Sequence, residues 1–174
     1  RAENPVETRD QRFRNSLRNR FTKRRFLRLA PHLHTLRFNK DVRETTLIKQ
    51  AVNITVNTFK DILTMIKPGV MEYEIEAEWA RAFIGKRCKF AYGPIIASGK
   101  NACILHYLQN DQPCKKGDLL LMDVGACYAN YNADLTRTIP VNGKFSPRQK
   151  QVYQAVLRVL RKSIIGATAG KEIK

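Results

Sequence analysis

"LMDVGACYANYNADLTRTIPVNGKF", Leu121 to Phe145, is the stretch whose reading decides the fold. Two strand-like pieces, Asp118 to Val124 and Asp134 to Val141, flank a centre of small and polar residues, the pattern of an antiparallel hairpin. With the turn centred between Tyr128 and Ala129, Asp123 and Asp134 stand opposite each other across the ladder. Directly opposed residues hold their β-carbons roughly 4.5 to 5.5 Å apart on one face. Two ionised carboxylates at that separation, among Leu121, Leu135 and Ile139, repel each other and lose hydration. A shared proton, a guanidinium or a divalent cation could compensate. No Lys or Arg lies between the two aspartates in sequence, and strand alternation points Arg137 to the face opposite Asp134. A cation fits best: hard oxygen ligands suit magnesium, manganese or calcium, and paired carboxylates suit a dinuclear centre that polarises a carbonyl. The bland alternative is that one aspartate caps a turn and the other faces solvent.

Outward from the hairpin the chain divides by composition. Residues 1–40 form a basic leader holding twelve Lys or Arg against Glu3, Glu7 and Asp10, broken by Pro5 and Pro31. A solvated or poorly ordered arm accounts for such a block, and its phenylalanines show no stacking spacing, so nucleic acid is not an expected partner. A compact domain, 41–174, follows. Ile48, Val52, Phe59, Leu63 and Ile66, with Thr55 between, recur at helical steps between Glu44 and Lys67, stopped by Pro68 and Gly69. A second helix is predicted from Met71 to about Lys86, with Ile75, Trp79 and Phe83 inward and Glu72, Glu74, Glu76 and Glu78 stabilising its N-terminal part. Strands are predicted at Ile95–Ser98, Ala102–Tyr107 and the two hairpin pieces. Ser146, Pro147 and Gln149 then open a third helix, with Val152, Val156, Leu160 and Ile164 along one face and Gly166 closing it. Helices, strands and a helix in this order give an α+β class with a mostly antiparallel sheet.

The net charge is +17 and 43% of the residues are hydrophobic, enough for a core in 174 residues. No apolar run nears the ~18 to 20 residues of a membrane helix. Cys88, Cys103, Cys114 and Cys127 form no CxxC pair, which predicts reduced thiols and a cytoplasmic protein. The sequence opens on Arg1 without an apolar signal core, so a fragment is expected. "YGPIIASGKN" lacks phosphate-loop spacing, and His32 and His34 make a weak metal pair. His106 ends the apolar segment "NACILHY", where a strand would deliver it to the edge of a site; a hydrogen-bonded structural histidine is the plain alternative.

"MDVGACYANYNADLTRTIPVNGKFSPRQKQVY", Met122–Tyr153, together with "FAYGPIIASGKNACILHY", Phe90–Tyr107, resembles the Xaa-Pro aminopeptidases (aminopeptidase P) of the pita-bread metallopeptidase family. Prolidases share much of this pattern; methionine aminopeptidases share the paired aspartates but not "PVNGKF". The resemblance runs from about Val42 to Gly170 and implies the first part of a pita-bread catalytic domain. It implies two divalent ions, commonly manganese, held by five protein ligands, of which Asp123 and Asp134 match the first two. It also implies a catalytic role for His106, stabilising charge beside the scissile group. The substrate implied is a peptide with proline second.

Two departures from the family pattern matter. The remaining ligands, one histidine and two glutamates, are expected outside the chain, which has no histidine after His106 and only Glu172 as a later glutamate. Cys127 stands where the family often has glutamate. A half-site should bind ions poorly, and the exposed face of a half-fold favours association, so a homo-oligomer is a possible state. Two alternatives stand beside the aminopeptidase: a prolidase acting on dipeptides, and a non-enzymatic module binding acidic partners through its basic surface.

Overall fold

The computed structural model describes residues 6–172; Arg1, Glu3 and Pro5 of the leader lie outside them. Two compact units divide between Asp41 and Val42. The first carries α1 (Arg9–Arg20) and α2 (Ala30–Phe38), neither with a buried residue. The leader is expected to be a solvated or poorly ordered arm; its two helices are solvated, and their regularity is the new observation. Local capping accounts for α1: Gln11 N donates to Thr8 Oγ1 at 3.2 Å, and Thr8 N donates to Gln11 Oε1 at 2.7 Å. Pro31 sits in the first turn of α2, where its missing N–H costs nothing.

In the second unit, α3 (Val42–Ile62) and α4 (Glu72–Gly85) precede the strands β1 (Lys89–Phe90), β2 (Ile95–Ser98), β3 (Leu119–Val124), β4 (Ala126–Tyr128), β5 (Tyr131–Asn132) and β6 (Leu135–Pro140), and α5 (Pro147–Gly166) ends it. One antiparallel sheet has the order β2, β3, β6 and the other β1, β4, β5. Among the described residues no helix is long and apolar enough to cross a membrane.

The helix α4 buries Ile75, Trp79 and Phe83, the predicted stripe. The Trp79 and Phe83 rings meet edge to face at 5.4 Å, and Phe83 meets Phe90 at 5.3 Å. Ile96, Leu120, Met122 and Val124 from β2 and β3 close the core. Along α3 and the residues after it, the inward face matches the expected stripe only in part: Thr55 is buried and Phe59 and Ile66 pack against the core, but other positions differ. Ala51, Thr55, Thr58 and Ile62 are buried, whereas Val52 and Leu63 are exposed. Small residues face inward because the helix approaches the β4 backbone closely: Thr55 Oγ1 accepts from Ala126 N at 3.0 Å while donating to Ala51 O at 2.9 Å.

Two further expectations are corrected. Ala102–Tyr107 is no strand; a 3-10 turn over Gly99–Cys103 leads into an irregular loop. Gly99 and His106 hold left-handed φ of 57° and 53°, which break an extended ladder, and Ile104 and Leu105 are exposed. The helix α5 begins as predicted, with the Ser146 cap accepting from Gln149 N. Its apolar face, however, is uncovered among the described residues, with Val156 63% and Ile164 65% exposed.

Candidate metal centre

The hairpin forms with its register displaced from the one expected. Tyr128 pairs with Tyr131, so the two-residue turn is Ala129–Asn130, both left-handed at φ 49° and 66°, as a tight hairpin requires. Asp123 therefore opposes Thr136, and Asp134 falls outside the β6 ladder, level with Gly125. Direct opposition of the carboxylates is thus replaced by a diagonal relation. Moving the register by two residues preserves the face, because side chains alternate with a period of two. Both aspartates still project to the same side.

A tyrosine establishes this convergence. Tyr92 Oη lies 2.7 Å from Asp123 Oδ1 and 3.2 Å from Asp134 Oδ1, so a single hydroxyl is shared by both carboxylates. The backbone delivers it there: Ala91 N donates to Gly125 O at 2.8 Å, and β2, entered just after Tyr92, pairs Ile95 with Asp123. Burial, then the hydrogen bond and charge of Asp123, and then Asp134, push the Tyr92 hydroxyl far above its ordinary pKa. It remains a proton donor throughout the working pH range.

Asp123 is half-buried and Asp134 exposed, so the pair is wetter than the sequence suggested. Among the described residues neither carboxylate pairs with Lys or Arg; the Arg137 guanidinium turns to the Thr136 carbonyl at 2.7 Å. One donor cannot satisfy two carboxylates, which accept at about four positions each. Converging, anionic and hard, the donor set fits a divalent cation. It is a partial set, because among the described residues no group of three or more His, Cys, Asp or Glu gathers as a metal cluster.

His106 does not hydrogen-bond to the pair. It rides on the loop after β2, and two contacts return that loop to the carboxylate end of the strand. Asn110 Oδ1 accepts from Ile96 N at 3.0 Å while its Nδ2 donates to Pro94 O at 3.1 Å. Leu108 packs over Gly93, where an added β-carbon would sit 3.1 Å from its Cδ2. His106 is thereby held two residues from the side chain that covers Gly93, next to Tyr92. Sequence reasoning missed Tyr92. Its signal was a tyrosine before Gly93–Pro94, at the mouth of a strand that must pair with the strand bearing Asp123.

Comparison with known proteins identifies the family. Residues 46–174 match the model of metallopeptidase family M24. A Xaa-Pro aminopeptidase of Haemophilus influenzae is 41% identical over 145 residues, 83% of this chain and 34% of that protein. Intermediate cleaving peptidase 55 of Schizosaccharomyces pombe is 40% identical over 133 residues, 76% and 27% of the two chains. The structure of a zinc-substituted Escherichia coli aminopeptidase P in complex with product superimposes with a TM-score of 0.82 at 31% identity, covering 92% of this chain and 39% of the other. This chain therefore spans about a third of the length of the relatives it matches. From the hairpin geometry and this agreement across its second unit, the chain belongs to metallopeptidase family M24.

Proposed function

We propose that the protein is a metal-dependent aminopeptidase that removes the first residue from peptides with proline second, and that this chain supplies part of its catalytic site. The observation that carries the reading is the convergence of Asp123 and Asp134 on one hydroxyl with no basic partner among the described residues. Similarity to a Xaa-Pro aminopeptidase and to aminopeptidase P supports the substrate class. Asp123 and Asp134 would hold two divalent ions, manganese in our reading; zinc occupies the substituted Escherichia coli relative. When bound, such ions polarise the scissile carbonyl.

The chain's own residues have separable tasks. Tyr92 donates to both carboxylates and fixes their mutual orientation, leaving their other lone pairs free. His106 presents an imidazole from an exposed turn and donates toward the negative charge that develops on the substrate. A cytoplasmic location is part of the proposal, supported by four free cysteines. Self-association is supported by the uncovered apolar stripe of α5.

The test uses the full-length protein, stripped by chelation and reloaded with manganese or zinc. Release of the first residue from a Xaa-Pro-Xaa peptide is expected with metal and not without it. Cleavage restricted to Xaa-Pro dipeptides would establish a prolidase instead. Preference for a peptide lacking proline at the second position would overturn the substrate class proposed here. Absence of any metal-dependent cleavage, with salt-sensitive polyanion binding, would leave a binding module. Within the leading reading, Tyr92→Phe is expected to lower metal affinity roughly tenfold to a hundredfold, as loss of an orienting partner does. Titration calorimetry on the wild-type and variant proteins measures it.

A further inference from the structure

The sequence assigns Glu72 to helix stabilisation, yet its carboxylate is fully buried and its four hydrogen bonds all leave α4. Oε1 accepts from Ser98 N at 2.7 Å and from Asn101 Nδ2 at 3.2 Å. Oε2 accepts from Tyr107 Oη at 2.7 Å and from Gln112 N at 3.0 Å. Asn101 Nδ2 also donates to Tyr107 Oη at 3.0 Å, so the phenol accepts one bond and gives its proton to the glutamate. One carboxylate thus ties down the start, the middle and the end of the segment from Ser98 to Gln112. The Glu72 N–H closes the clamp by donating to Gln112 O at 3.0 Å.

A buried charge with four donors, placed at the positive end of a helix, is a stable arrangement and an expensive one to disturb. It also answers a local difficulty. The segment has no strand ladder to hold it, Leu105 is 91% exposed, and His106 is in a left-handed conformation that a histidine rarely adopts unaided. Tyr107, the residue immediately after His106, is buried and bonded to Glu72. Fixing Tyr107 fixes the backbone from which the imidazole projects.

We infer that Glu72 is a positioning residue: through Tyr107 and Asn101 it sets the place of His106 on the loop that returns to the carboxylate end of β2. This rests on the reading of His106 given above as a group that acts on the substrate. Glu72 touches neither substrate nor metal in this role and acts only through the loop.

The test uses the metal-loaded full-length enzyme. Glu72→Gln keeps the shape but turns an amide N–H toward two donors. It is expected to lower kcat by roughly ten- to a hundredfold, the scale of a small misplacement of a reacting group, with KM changed little. Tyr107→Phe removes a single donor and leaves the carboxylate, so a smaller loss in the same direction is expected even if Glu72→Gln folds poorly. Amide exchange in residues 99–112 should quicken in both variants while the β3–β6 ladder keeps its protection. In the His106→Ala background, Glu72→Gln should add almost nothing to the loss of kcat. Losses that multiply in that background, or exchange unchanged in the loop, would overturn the inference. A fully active His106→Ala enzyme with faster loop exchange in Glu72→Gln would instead sink the role given to His106 and leave the clamp standing.

Discussion

On the proposed reading, Asp123→Asn and Asp134→Asn are each expected to reduce kcat/KM of the full-length protein by on the order of a thousandfold or more, because each would remove a charged ligand worth several kcal/mol of charge stabilisation. The substitutions keep side-chain shape, and the Asn Oδ1 still accepts from the Tyr92 hydroxyl, which now lies 2.7 Å and 3.2 Å from the two carboxylates. Stability and metal response should then separate. In metal-free protein the wild type holds two like charges around one hydroxyl with no Lys or Arg among the described residues to offset them. Neutralising one relieves repulsion, so each variant should unfold at the wild-type temperature or slightly above it. In manganese at a hundred times the dissociation constant the order reverses. Ligand binding to the folded state adds about 2.7 kcal/mol to the wild type, and most of that gain is absent from the variants. Thermal unfolding with and without manganese, alongside titration calorimetry, measures both signs. Variants that keep wild-type metal stabilisation would remove the two aspartates from the site.

The elements legible in the sequence are those whose signal is local. Ile75, Trp79 and Phe83 fall at four-residue steps and are the buried face of α4. Ser146, Pro147 and Gln149 are a cap, a first-turn proline and a capping-box partner in three consecutive roles, and they start α5. What escaped depends on contacts distant in sequence. The inward face of α3 is set by its approach to Ala126, 71 residues away, which selects Thr55 over the larger Val52. The Ala102–Tyr107 segment looks like a strand by composition, but Asn101 just before it and Tyr107 at its end are drawn to Glu72, leaving Ile104 and Leu105 outside. At the site, the assumed turn centre put both aspartates on one face, and they remain on one face because strand alternation is insensitive to a two-residue slip. The register itself is set by the left-handed Ala129–Asn130 turn, which carries no Asn-Gly or Asp-Gly signal. Tyr92 lies 31 residues from Asp123 and 42 from Asp134, and no spacing rule connects them.

Gly125→Ala should be the most damaging single-methyl change in the hairpin. A β-carbon at residue 125 would lie 1.8 Å from the Ala133 carbonyl oxygen and 2.7 Å from its carbon, both backbone atoms that no rotamer change can move aside. The strands would have to part at the one point where the ladder passes from β3–β6 to β4–β5. Parting there strains the bond from Ala133 N to Ala126 O at 2.9 Å and the bond from Ala91 N to Gly125 O at 2.8 Å. A loss of about 4 kcal/mol or more is expected, the range reserved for backbone clashes and broken networks. Gly85→Ala is the matched control. It ends α4 with nothing within 4 Å of the added carbon, and alanine favours a helix by up to about 1 kcal/mol over glycine. Urea unfolding of the two variants should therefore shift in opposite directions. The damage at residue 125 has a functional corollary, because the second of those bonds is what carries Tyr92 to the carboxylates. Any folded fraction of Gly125→Ala should bind manganese more weakly than Tyr92→Phe does, since it disturbs the spacing of Asp123 and Asp134 as well as their shared donor. A variant within about 1 kcal/mol of wild type, still binding metal normally, would show that the close approach of Gly125 to Ala133 does not hold the two aspartates together.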